Sequence, residues 1–498
     1  MTGTMPLSAR VGAACRDALA DLEPAAPIGA LLAETVARLA EPTLRIAVAG
    51  RLKAGKSTLV NALLGARLAA TDETECTKVV TWFRHGDRVR VRVQPSDGSA
   101  YDLPPAGDAI PADLGRPATE LASVTLEFPG PAVSRFTVVD TPGLDALSGL
   151  DAMSLAALHR CDALIFVMPH PGAQEQQSLQ AFRAATSSAG LRLGNAVGVL
   201  SQIDRLGTGR GDPWPQARLI AGRYAHHLRA SVLDVLPLAG LLAETAGGGR
   251  LTDADTAALQ AVAAATGRAD RIMMLAAADA FHLWQPCPVD ADTRRRLMAL
   301  LGPYGIAESL ALIDGGVTDT GVLRDELRRR SGLDALHAVI TERFLPEADV
   351  LRAAGALSAL DTALWAQKAA DQPAALRTLR ARLAQLRADP ALRFSTLHTL
   401  VEDVVTGRAT LPAEAEADLL CLARGRDDAE RVGLATGTAA ARVARAADER
   451  IRRWRTLDDS PARSVARCAH AAVEAFEAIY YTASRVGPPG NNGPSRHV

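Results

Sequence analysis

The feature that most constrains this chain is an eight-residue stretch, GRLKAGKS, at residues 50–57. It fits the pattern G-x-x-x-x-G-K-[ST], follows the apolar run LRIAVAG (44–50) and opens the helical pattern KSTLVNALLG (56–65). A strand, a glycine-rich turn and a helix in this order place backbone N–H groups at a helix N-terminus, where anions are favoured. The stretch therefore predicts a phosphate-binding loop within an α/β fold.

Several loop residues have an expected part in binding nucleotide phosphates. Gly50 and Gly55 let the backbone approach the phosphates closely. Lys56 would contact the β- and γ-phosphates, and Ser57 would bind Mg²⁺. The predicted nucleotide-binding residues of the loop are Gly50, Arg51, Leu52, Lys53, Ala54, Gly55, Lys56, Ser57 and Thr58. The alternative is a strand–turn–helix connection that binds nothing.

A second motif, VVDTPG (138–143), supports the first. Asp140 ends an apolar strand and would hold Mg²⁺ through water, and Gly143 would offer its amide to the γ-phosphate. The next residue, Leu144, cannot orient the attacking water as a glutamine does in many small regulatory GTPases. A first switch needs a threonine whose hydroxyl reaches Mg²⁺, and we favour Thr77 because it precedes an apolar strand. The other candidates are Thr71, Thr74 and Thr81.

The base specificity rests on a weaker pattern, VLSQID (199–204), which is placed like the guanine-reading [NT]-K-x-D. Asp204, predicted at the end of a strand, would accept hydrogen bonds from guanine, whereas adenine has no matching donors. Gln202 replaces the expected lysine. Ala239 and Gly240 in PLAGLLA (237–243) are predicted to lie beside the base. The alternative is that Asp204 only caps the turn after its strand.

Composition excludes several classes of function. A net charge of −1 over 498 residues gives no general attraction to nucleic acid, so we expect no nucleic-acid partner. The six cysteines are scattered, which is typical of reduced thiols in the cytoplasm. The first residues contain no basic region followed by an apolar one, so we expect no signal peptide, and no charge-free run of about 18 apolar residues suggests a spanning helix. Any membrane contact is therefore expected to be peripheral.

The chain changes character near residue 250. Before it, strand-like runs alternate with helical patterns, and after it alanine-, leucine- and arginine-rich helices dominate. We expect an α/β phosphate-loop domain, with a mostly parallel sheet flanked by helices, joined to an elongated all-α bundle. The predicted divisions are N-terminal helices that pack with the bundle (1–42), the α/β domain (43–250), a helical neck and trunk (251–484) and a disordered tail (485–498).

Two stretches are candidates for membrane contact. RVARAADERIRRWRTLDD (442–459) places Arg452, Arg453 and Arg455 around Trp454, a combination that suits a lipid interface. The alternative, which we favour, is an arginine-rich exposed helix face with Trp454 as an anchor between helices. TRRRLMALLGPYGIAESL (293–310) is the second candidate, because it is apolar and breaks at Gly-Pro.

The stretch LRIAVAGRLKAGKSTLVNALLG, followed by TDETECTKVVTWFRHG and VVDTPG, resembles the bacterial dynamin-like GTPases. It is most similar to their isoniazid-inducible (IniC) type, and the similarity extends over about 42–205 and 285–370. The resemblance implies a GTPase head on a helical neck and trunk, with Mg²⁺ as cofactor. Carried over by motif, Thr77 is the switch threonine and Asp140 the Walker-B-type aspartate.

The resemblance also implies partners and a place in the cell. Such proteins bind anionic lipid membranes and use GTP hydrolysis in fission, fusion or maintenance of the membrane. They assemble through their GTPase heads, or pair with a paralogous dynamin-like protein. The expected location is cytoplasmic, peripheral at the inner face of the cell membrane.

The chain departs from the family pattern at Lys53, where dynamin-like loops commonly carry a serine that helps to hold a monovalent cation. The sequence contains four lysines, three of them within residues 53–78, so a lysine here calls for an explanation. We hypothesise that its ammonium replaces the cation or acts as a built-in arginine finger. The alternative is a side chain that points outward. The predicted catalytic residues are Lys53, Lys56, Thr77 and Gly143.

Two rival functions remain at this level. A soluble assembly GTPase would carry a basic RNA-binding module after the α/β domain, and the sequence there predicts helices. A nucleotide-binding scaffold, with little turnover of its own, would serve a paralogous dynamin-like partner. Gln202 and Leu144 leave room for this second rival.

Overall fold

The structure is a computed structural model of the 498-residue chain. It describes residues 5–22, 28–51, 53–69, 79–142, 152–169, 193–206, 212–229, 231–276, 278–365 and 373–485. The tail predicted to be disordered lies, from residue 486 onward, outside the described residues.

Nine strands form a single sheet, and all of them lie between residues 44 and 237 in the described part of the chain. They are β1 (Leu44–Gly50), β2 (Thr81–His85), β3 (Arg90–Pro95), β4 (Tyr101–Leu103), β5 (Leu121–Phe128), β6 (Phe136–Asp140), β7 (Ala163–Met168), β8 (Ala196–Leu200) and β9 (Val235–Pro237).

The strand order across the sheet is β4-β3-β5-β2-β6-β1-β7-β8-β9. From β6 to β9 every neighbouring pair is parallel. β2 runs antiparallel to β6 and parallel to β5, and β3 is antiparallel to both β5 and β4. The parallel half brings the carboxyl ends of β1, β6 and β8 to one edge, where loops can converge on a ligand.

The helices surround the sheet and continue beyond it. They are α1 (Leu7–Ala20), α2 (Gly29–Ala40), α3 (Lys56–Leu64), α4 (Ala152–His159), α5 (Trp214–His227), α6 (Gly240–Gly247), α7 (Asp253–Ala265), α8 (Arg268–Met274), α9 (Ala278–Leu283), α10 (Ala291–Asp314), α11 (Thr320–Arg330), α12 (Leu333–Val339), α13 (Ala348–Trp365), α14 (Ala374–Arg387), α15 (Arg393–Val405), α16 (Ala413–Arg424), α17 (Asp428–Arg431), α18 (Ala440–Asp458) and α19 (Arg463–Arg485). A π-helical turn, Ile340–Phe344, joins α12 to the segment before α13.

The central strands are buried on both faces, so β1, β7 and β8 are apolar at nearly every position and buried at all of them. Alternate residues of β1 enter two different cores. Ala47 and Ala49 join the core that includes α5, α7, α10 and α11. Ile46 and Val48 join the core that includes α3 and α12. The sheet therefore separates two layers of helices, as the sequence predicted for the α/β domain.

The helices that follow residue 250 begin against this same sheet. Leu259, Leu297 and Leu327 share a core with sheet residues such as Phe166. Helices beyond the predicted domain boundary thus share a core with the strands, and the predicted division of the chain into domains stays a prediction. Nothing in their amphipathic pattern distinguishes a helix that covers a sheet from one that packs in a bundle.

α10 contains the second stretch that the sequence offered for membrane contact. It bends at Gly302, whose φ is 62°, directly before Pro303. Within the described ranges this is the one helix long and apolar enough to cross a membrane, and half of its apolar window is buried inside the protein. Leu297 and Ile306 face the core beside the sheet, so burial in the protein accounts for its apolar character.

A second group of helices brings the N-terminal helices together with helices from the second half of the chain. α1 and α2 pack against α13 and α14 around a core of leucine, alanine and valine. Near the sheet, Asp349 accepts hydrogen bonds from the backbone amides of Leu7 (2.8 Å) and Ser8 (3.0 Å). Arg352 donates to the carbonyls of Leu39 (2.8 Å) and of Glu41 at the end of α2. We call these contacts the neck clasp, because they attach the start of α13 to the start of α1 and to the segment that leads into β1.

α15, α16, α18 and α19 form a third group with its own apolar core. It touches the α/β unit at several points. Arg424 donates to the carbonyl of Arg229 (2.9 Å), and Arg343 of the π-helical turn donates to that of Gly425 (2.8 Å). The ring of His398 lies against Gly194, where a Cβ would be only 2.0 Å from His398 Cε1.

Candidate functional site

The phosphate loop follows β1 as predicted, and its geometry explains both glycines. A Cβ at Gly50 would lie 2.4 Å from the carbonyl oxygen of Val167 on the neighbouring strand. Gly55 has a φ of 88°, in the left-handed region that favours glycine. Between them the amide of Ala54 donates to the carbonyl of Arg51 (3.2 Å). The loop is thus a tight turn that ends at the N-terminus of α3.

Lys56 is the first residue of α3 and is buried. Its Nζ donates to the carbonyl of Arg51 at 2.9 Å, so the ammonium lies over the loop. Burial lowers the pKa of Lys56, and the nearby Asp140 carboxylate opposes that shift. A buried cation beside the positive end of a helix is an arrangement that an anion would stabilise.

Asp140 ends β6 and lies level with Val48 of β1. Its Oδ2 accepts a hydrogen bond from Ser57 Oγ (3.2 Å), and its Oδ1 is buried with no hydrogen-bond partner in the described structure. Burial raises the pKa of Asp140 to about 6, while Lys56 and the bond from Ser57 act in the opposite direction. A hydroxyl beside a carboxylate oxygen that lacks a partner is a donor set that fits Mg²⁺.

Several predicted residues cannot be placed. Thr77 and Gly143 lie outside the described residues, as do Leu52, Thr71, Thr74 and Leu144. Their roles in the switch and in catalysis stay predictions. Thr81, the remaining candidate, is buried on β2 opposite Asp140, and its hydroxyl donates to the carbonyl of Val79 (3.3 Å). Thr141, next to Asp140, donates to the carbonyl of Val48 (3.1 Å) and so fixes the start of the following loop.

The predicted base-reading residues lie directly beside the phosphate loop. Gln202 Nε2 donates to the carbonyl of Lys53 at 2.8 Å. Asp204 is half-buried in a short 3₁₀ turn (Ile203–Arg205) after β8, which corrects its predicted place at the end of a strand. Burial raises the pKa of Asp204. A half-buried carboxylate of this kind could accept hydrogen bonds from a base edge.

Ser201 is a site residue that the sequence interpretation missed. Its hydroxyl donates to the carbonyls of Ala54 (2.7 Å) and Met168 (3.1 Å), and thereby joins the end of β8 to the phosphate loop. The signal was present, because Ser201 occupies the [NT] position of the guanine-reading pattern and carries the hydroxyl that threonine would supply there.

Ala239 and Gly240 come to the same edge of the sheet. Ala239 is buried, its amide donates to the carbonyl of Ser331 (2.9 Å), and Gly240 begins α6. A Cβ at Gly240 would lie 3.6 Å from Thr58 Cγ2, in the first turn of α3. The predicted last base-contacting loop is therefore a neighbour of the phosphate loop.

Lys53 has an exposed side chain and a φ of 60°. The proposed catalytic roles of Lys53 stay predictions.

The predicted membrane site around Trp454 needs correction. Trp454 is fully buried in the core of the third helical group. Arg452 pairs with Asp448, Arg453 with Asp418 (3.0 Å) and Arg455 with Glu477 (2.7 Å). The alternative interpretation, an anchor between helices below an arginine-rich face, describes these residues.

A largely parallel sheet, with a glycine-rich loop after β1 and a buried carboxylate at the end of β6, defines the class of P-loop nucleotide-binding proteins. The profile of the Dynamin family matches residues 46–203. The isoniazid-induced protein IniC of Mycobacterium tuberculosis (strain ATCC 25618 / H37Rv) is 35% identical over 461 residues, which cover 89% of this chain and 91% of that protein. This chain therefore belongs to the bacterial dynamin-like GTPases, and within them to the IniC type.

Two further comparisons cover less or match less closely. The bacterial dynamin-like protein of Nostoc punctiforme is 28% identical over 144 residues, 26% of this chain and 21% of its own length. A solved structure described as "An oligomerised bacterial dynamin pair provides a mechanism for the long-range sensing and tethering of membranes" is 12% identical, with a TM-score of 0.33, and covers 97% of this chain and 77% of its own.

Proposed function

We propose that this protein binds GTP with Mg²⁺, hydrolyses it, and uses the cycle to assemble on and remodel the inner face of the cytoplasmic membrane. One observation carries the nucleotide part of the proposal. The buried Oδ1 of Asp140 has no partner in the described structure, and it lies on the carboxylate that Ser57 contacts and Lys56 faces. Such a carboxylate is expected where a cation is bound beside phosphates.

Different residues of the chain would bind the phosphates and the Mg²⁺ ion. The N–H groups of the phosphate loop would receive the phosphate oxygens, and Lys56 would exchange the carbonyl of Arg51 for the β- and γ-phosphates. Ser57 and Asp140 would hold Mg²⁺, with Thr77 as the predicted third group. When bound, Mg²⁺ supplies positive charge at the phosphates.

Catalysis would depend on charge and positioning more than on a general base. Leu144 stands where a water-orienting glutamine would be, so a polar group elsewhere has to align the water. We assign this part to Thr77 and Gly143, with Lys56 stabilising the charge on the transferred phosphoryl group. Guanine would be read by Asp204, with Ala239 and Gly240 beside it.

For the membrane part, the structure offers a different residue from the one predicted. Trp365, the last residue of α13, is 79% exposed, and the guanidinium of Arg380 lies 6.0 Å from its ring centroid. An indole with a basic neighbour is a pair that suits the headgroup level of a bilayer. It is 13 residues beyond Arg352 of the neck clasp, about 20 Å along the helix at 1.5 Å per residue. The proposed lipid contact therefore lies at the end of α13 opposite the neck clasp.

Assembly is proposed from family membership. The chain belongs to the dynamin-like GTPases, and association through the GTPase heads or pairing with a paralogous dynamin-like protein would link hydrolysis to membrane shape. A scaffold with little turnover of its own is the second candidate, favoured by the replacement of the motif lysine with Gln202 and of the catalytic glutamine with Leu144.

The test is GTP turnover by the full chain, over a range of protein concentrations, with and without vesicles of phosphatidylglycerol and phosphatidylethanolamine. We expect a rate per molecule that rises with concentration and with vesicles. Lys56→Ala is the control for contaminating hydrolases. Measurable GTP binding with a flat rate no higher than that of Lys56→Ala would favour the scaffold, and absence of guanine-nucleotide binding would overturn the proposal.

The membrane part has its own matched pair of variants. Trp365→Ala is expected to lose most vesicle co-sedimentation while keeping the turnover seen without vesicles. Leu283→Ala removes another exposed apolar side chain (69% exposed, against 79% for Trp365) and should bind vesicles like the unmodified protein. Equal binding by the two variants would contradict the assignment of the lipid contact to Trp365.

A further inference from the structure

Lys53 and Gln202 share an unusual backbone conformation. Within the described ranges, they are the two residues other than glycine with positive φ, at 60° and 56°. They are also in direct contact, because Gln202 Nε2 donates to the carbonyl of Lys53 at 2.8 Å. Side chains other than glycine, asparagine and aspartate seldom adopt this conformation, and such residues gather at functional sites where the surroundings hold them.

The carboxamide of Gln202 is oriented by partners on both sides. Its Oε1 accepts from Arg205 Nη1 (3.3 Å), so its NH₂ group faces the phosphate loop. The preceding residue repeats the connection, since Ser201 Oγ donates to the carbonyl of Ala54. Two consecutive residues after β8 thus hold two consecutive carbonyls of the phosphate loop. These two bonds fix the predicted base-reading loop and the phosphate loop to each other.

The charges at this contact are arranged in an unexpected way. A lysine at position 202, as in [NT]-K-x-D, could donate to the same carbonyl and would add one positive charge on the base side. Gln202 keeps the donor but is neutral. The positive charge is present instead on Lys53, the very residue whose carbonyl Gln202 holds. The two departures from the family pattern are therefore found at one hydrogen bond.

We propose that Lys53 and Gln202 are an exchanged pair, in which Gln202 is the positioning residue that joins the two loops and Lys53 supplies the nucleotide-binding charge that a lysine at position 202 would supply. The proposal rests on the proposed function, since it needs a bound guanine nucleotide. It differs from both earlier hypotheses for Lys53. A charge that replaces the motif lysine strengthens the binding of GDP and GTP alike, whereas a cation substitute or an arginine finger acts on the transition state.

The test is a double-mutant cycle with Lys53→Ser, Gln202→Lys and the double variant. The dissociation constants for fluorescent GDP and for a non-hydrolysable GTP analogue are measured with saturating Mg²⁺, in KCl and in NaCl. We expect Lys53→Ser to weaken the binding of both nucleotides about tenfold, and the double variant to return to within about threefold of the unmodified protein. Thermal unfolding of each variant identifies any loss of folded protein.

A Gln202→Met variant examines the positioning role separately, because methionine is neutral, similar in length and has no group that donates to the carbonyl of Lys53. This variant should bind both nucleotides more weakly with an unchanged melting temperature, and binding as tight as that of the unmodified protein would contradict the positioning role.

Three results would overturn the exchanged pair. They are a double variant no better than the Lys53→Ser variant, an effect of Lys53→Ser on kcat alone, or rescue of Lys53→Ser by K⁺ but not by Na⁺. If the unmodified protein bound neither nucleotide, the proposed function would fail together with the pair. If it bound both and the cycle were additive, only the pair would fail.

Discussion

Ser57 Oγ donates a hydrogen bond to Asp140 Oδ2 across 3.2 Å, and this bond joins the first turn of α3 to the end of β6. The two residues are 83 positions apart in the chain and are brought together by the pairing of β1 with β6. In the proposed function both groups turn toward Mg²⁺. The existing bond holds the two oxygen ligands side by side in advance, which lowers the reorganisation needed on binding.

Ser57→Ala should therefore affect the Mg²⁺-dependent step most. We expect GTP turnover at millimolar Mg²⁺ to fall at least tenfold, because the variant removes one oxygen ligand and one support for Asp140. GDP binding measured in EDTA should change less than threefold. Ser134→Ala, which alters an exposed hydroxyl in a loop before β6, is the matched control and should be neutral. Equal losses with and without Mg²⁺ would contradict a metal-binding role.

Asp140 should make the stability of the nucleotide-free protein dependent on pH. Burial raises its pKa to about 6 from an ordinary 3.8. Between these values the folded protein holds a proton that the unfolded chain has lost, so the free energy of unfolding decreases as pH rises through this window. Asp140→Asn should then raise the stability at pH 8 by about 1–3 kcal/mol and change it little at pH 4. Urea unfolding in EDTA at the two pH values measures this, and an equal change at both would argue against it.

The packing of the third helical group against the α/β unit should depend on the absence of a side chain at Gly194. A Cβ there would lie 2.0 Å from Cε1 and 2.5 Å from Nδ1 of His398, whose Nε2 contacts the carbonyl of Ala423 (3.2 Å). We expect Gly194→Ala to destabilise the protein by about 1–3 kcal/mol through overpacking. Adding His398→Ala should recover part of this loss, because it removes the ring.

The control for this prediction is Gly222→Ala on α5. No atom lies within 4 Å of the position that its Cβ would take, so that variant should be neutral or slightly stabilising. Thermal unfolding of the three variants separates the cases. A Gly194→Ala protein as stable as the control would show that the ring of His398 can move away without a loss of stability.

The two tryptophans of the helical groups should behave in opposite ways. Trp454 is fully buried, so Trp454→Ala is expected to cost about 3–5 kcal/mol of unfolding free energy. Trp365 is 79% exposed, and its truncation should change stability by less than about 0.5 kcal/mol. Denaturant unfolding checks both. A large loss of stability in Trp365→Ala would mean that this indole packs in solution and is not presented to a lipid surface.

The parts of the site that could be predicted from the sequence are those formed by residues adjacent in the chain. The phosphate loop is local, since a strand, two glycines and a helix start determine where Lys56 and Ser57 lie. Asp140 was predictable because an apolar run ends at it. The hydrogen bond between Gln202 and Lys53 joins residues 149 positions apart, and no pattern in either segment predicts it.

The alternatives that the sequence left open and the elements that it did not predict have the same physical origin. Trp454 lies among arginines in an amphipathic helix, and the pattern alone does not tell whether the apolar stripe faces a bilayer or another helix. β4 and β9 have three residues each, too few to show alternation. Which helices after residue 250 cover the sheet depends on tertiary packing, which alanine- and leucine-rich sequence leaves open.

The neck clasp has a mechanical consequence. The outer part of the protein is connected to the head by two covalent routes, one from α2 into β1 and the other from the π-helical turn into α13. Arg352 ties these two routes together where they enter the head, and Asp349 ties the start of α13 to the start of α1. A helical segment that is connected by a single stretch of chain can rotate about that connection. A segment that is connected by two stretches bonded to each other resists twisting. A bending or turning motion generated in the head would therefore reach the far end of α13 as torque, with little lost in a loose joint.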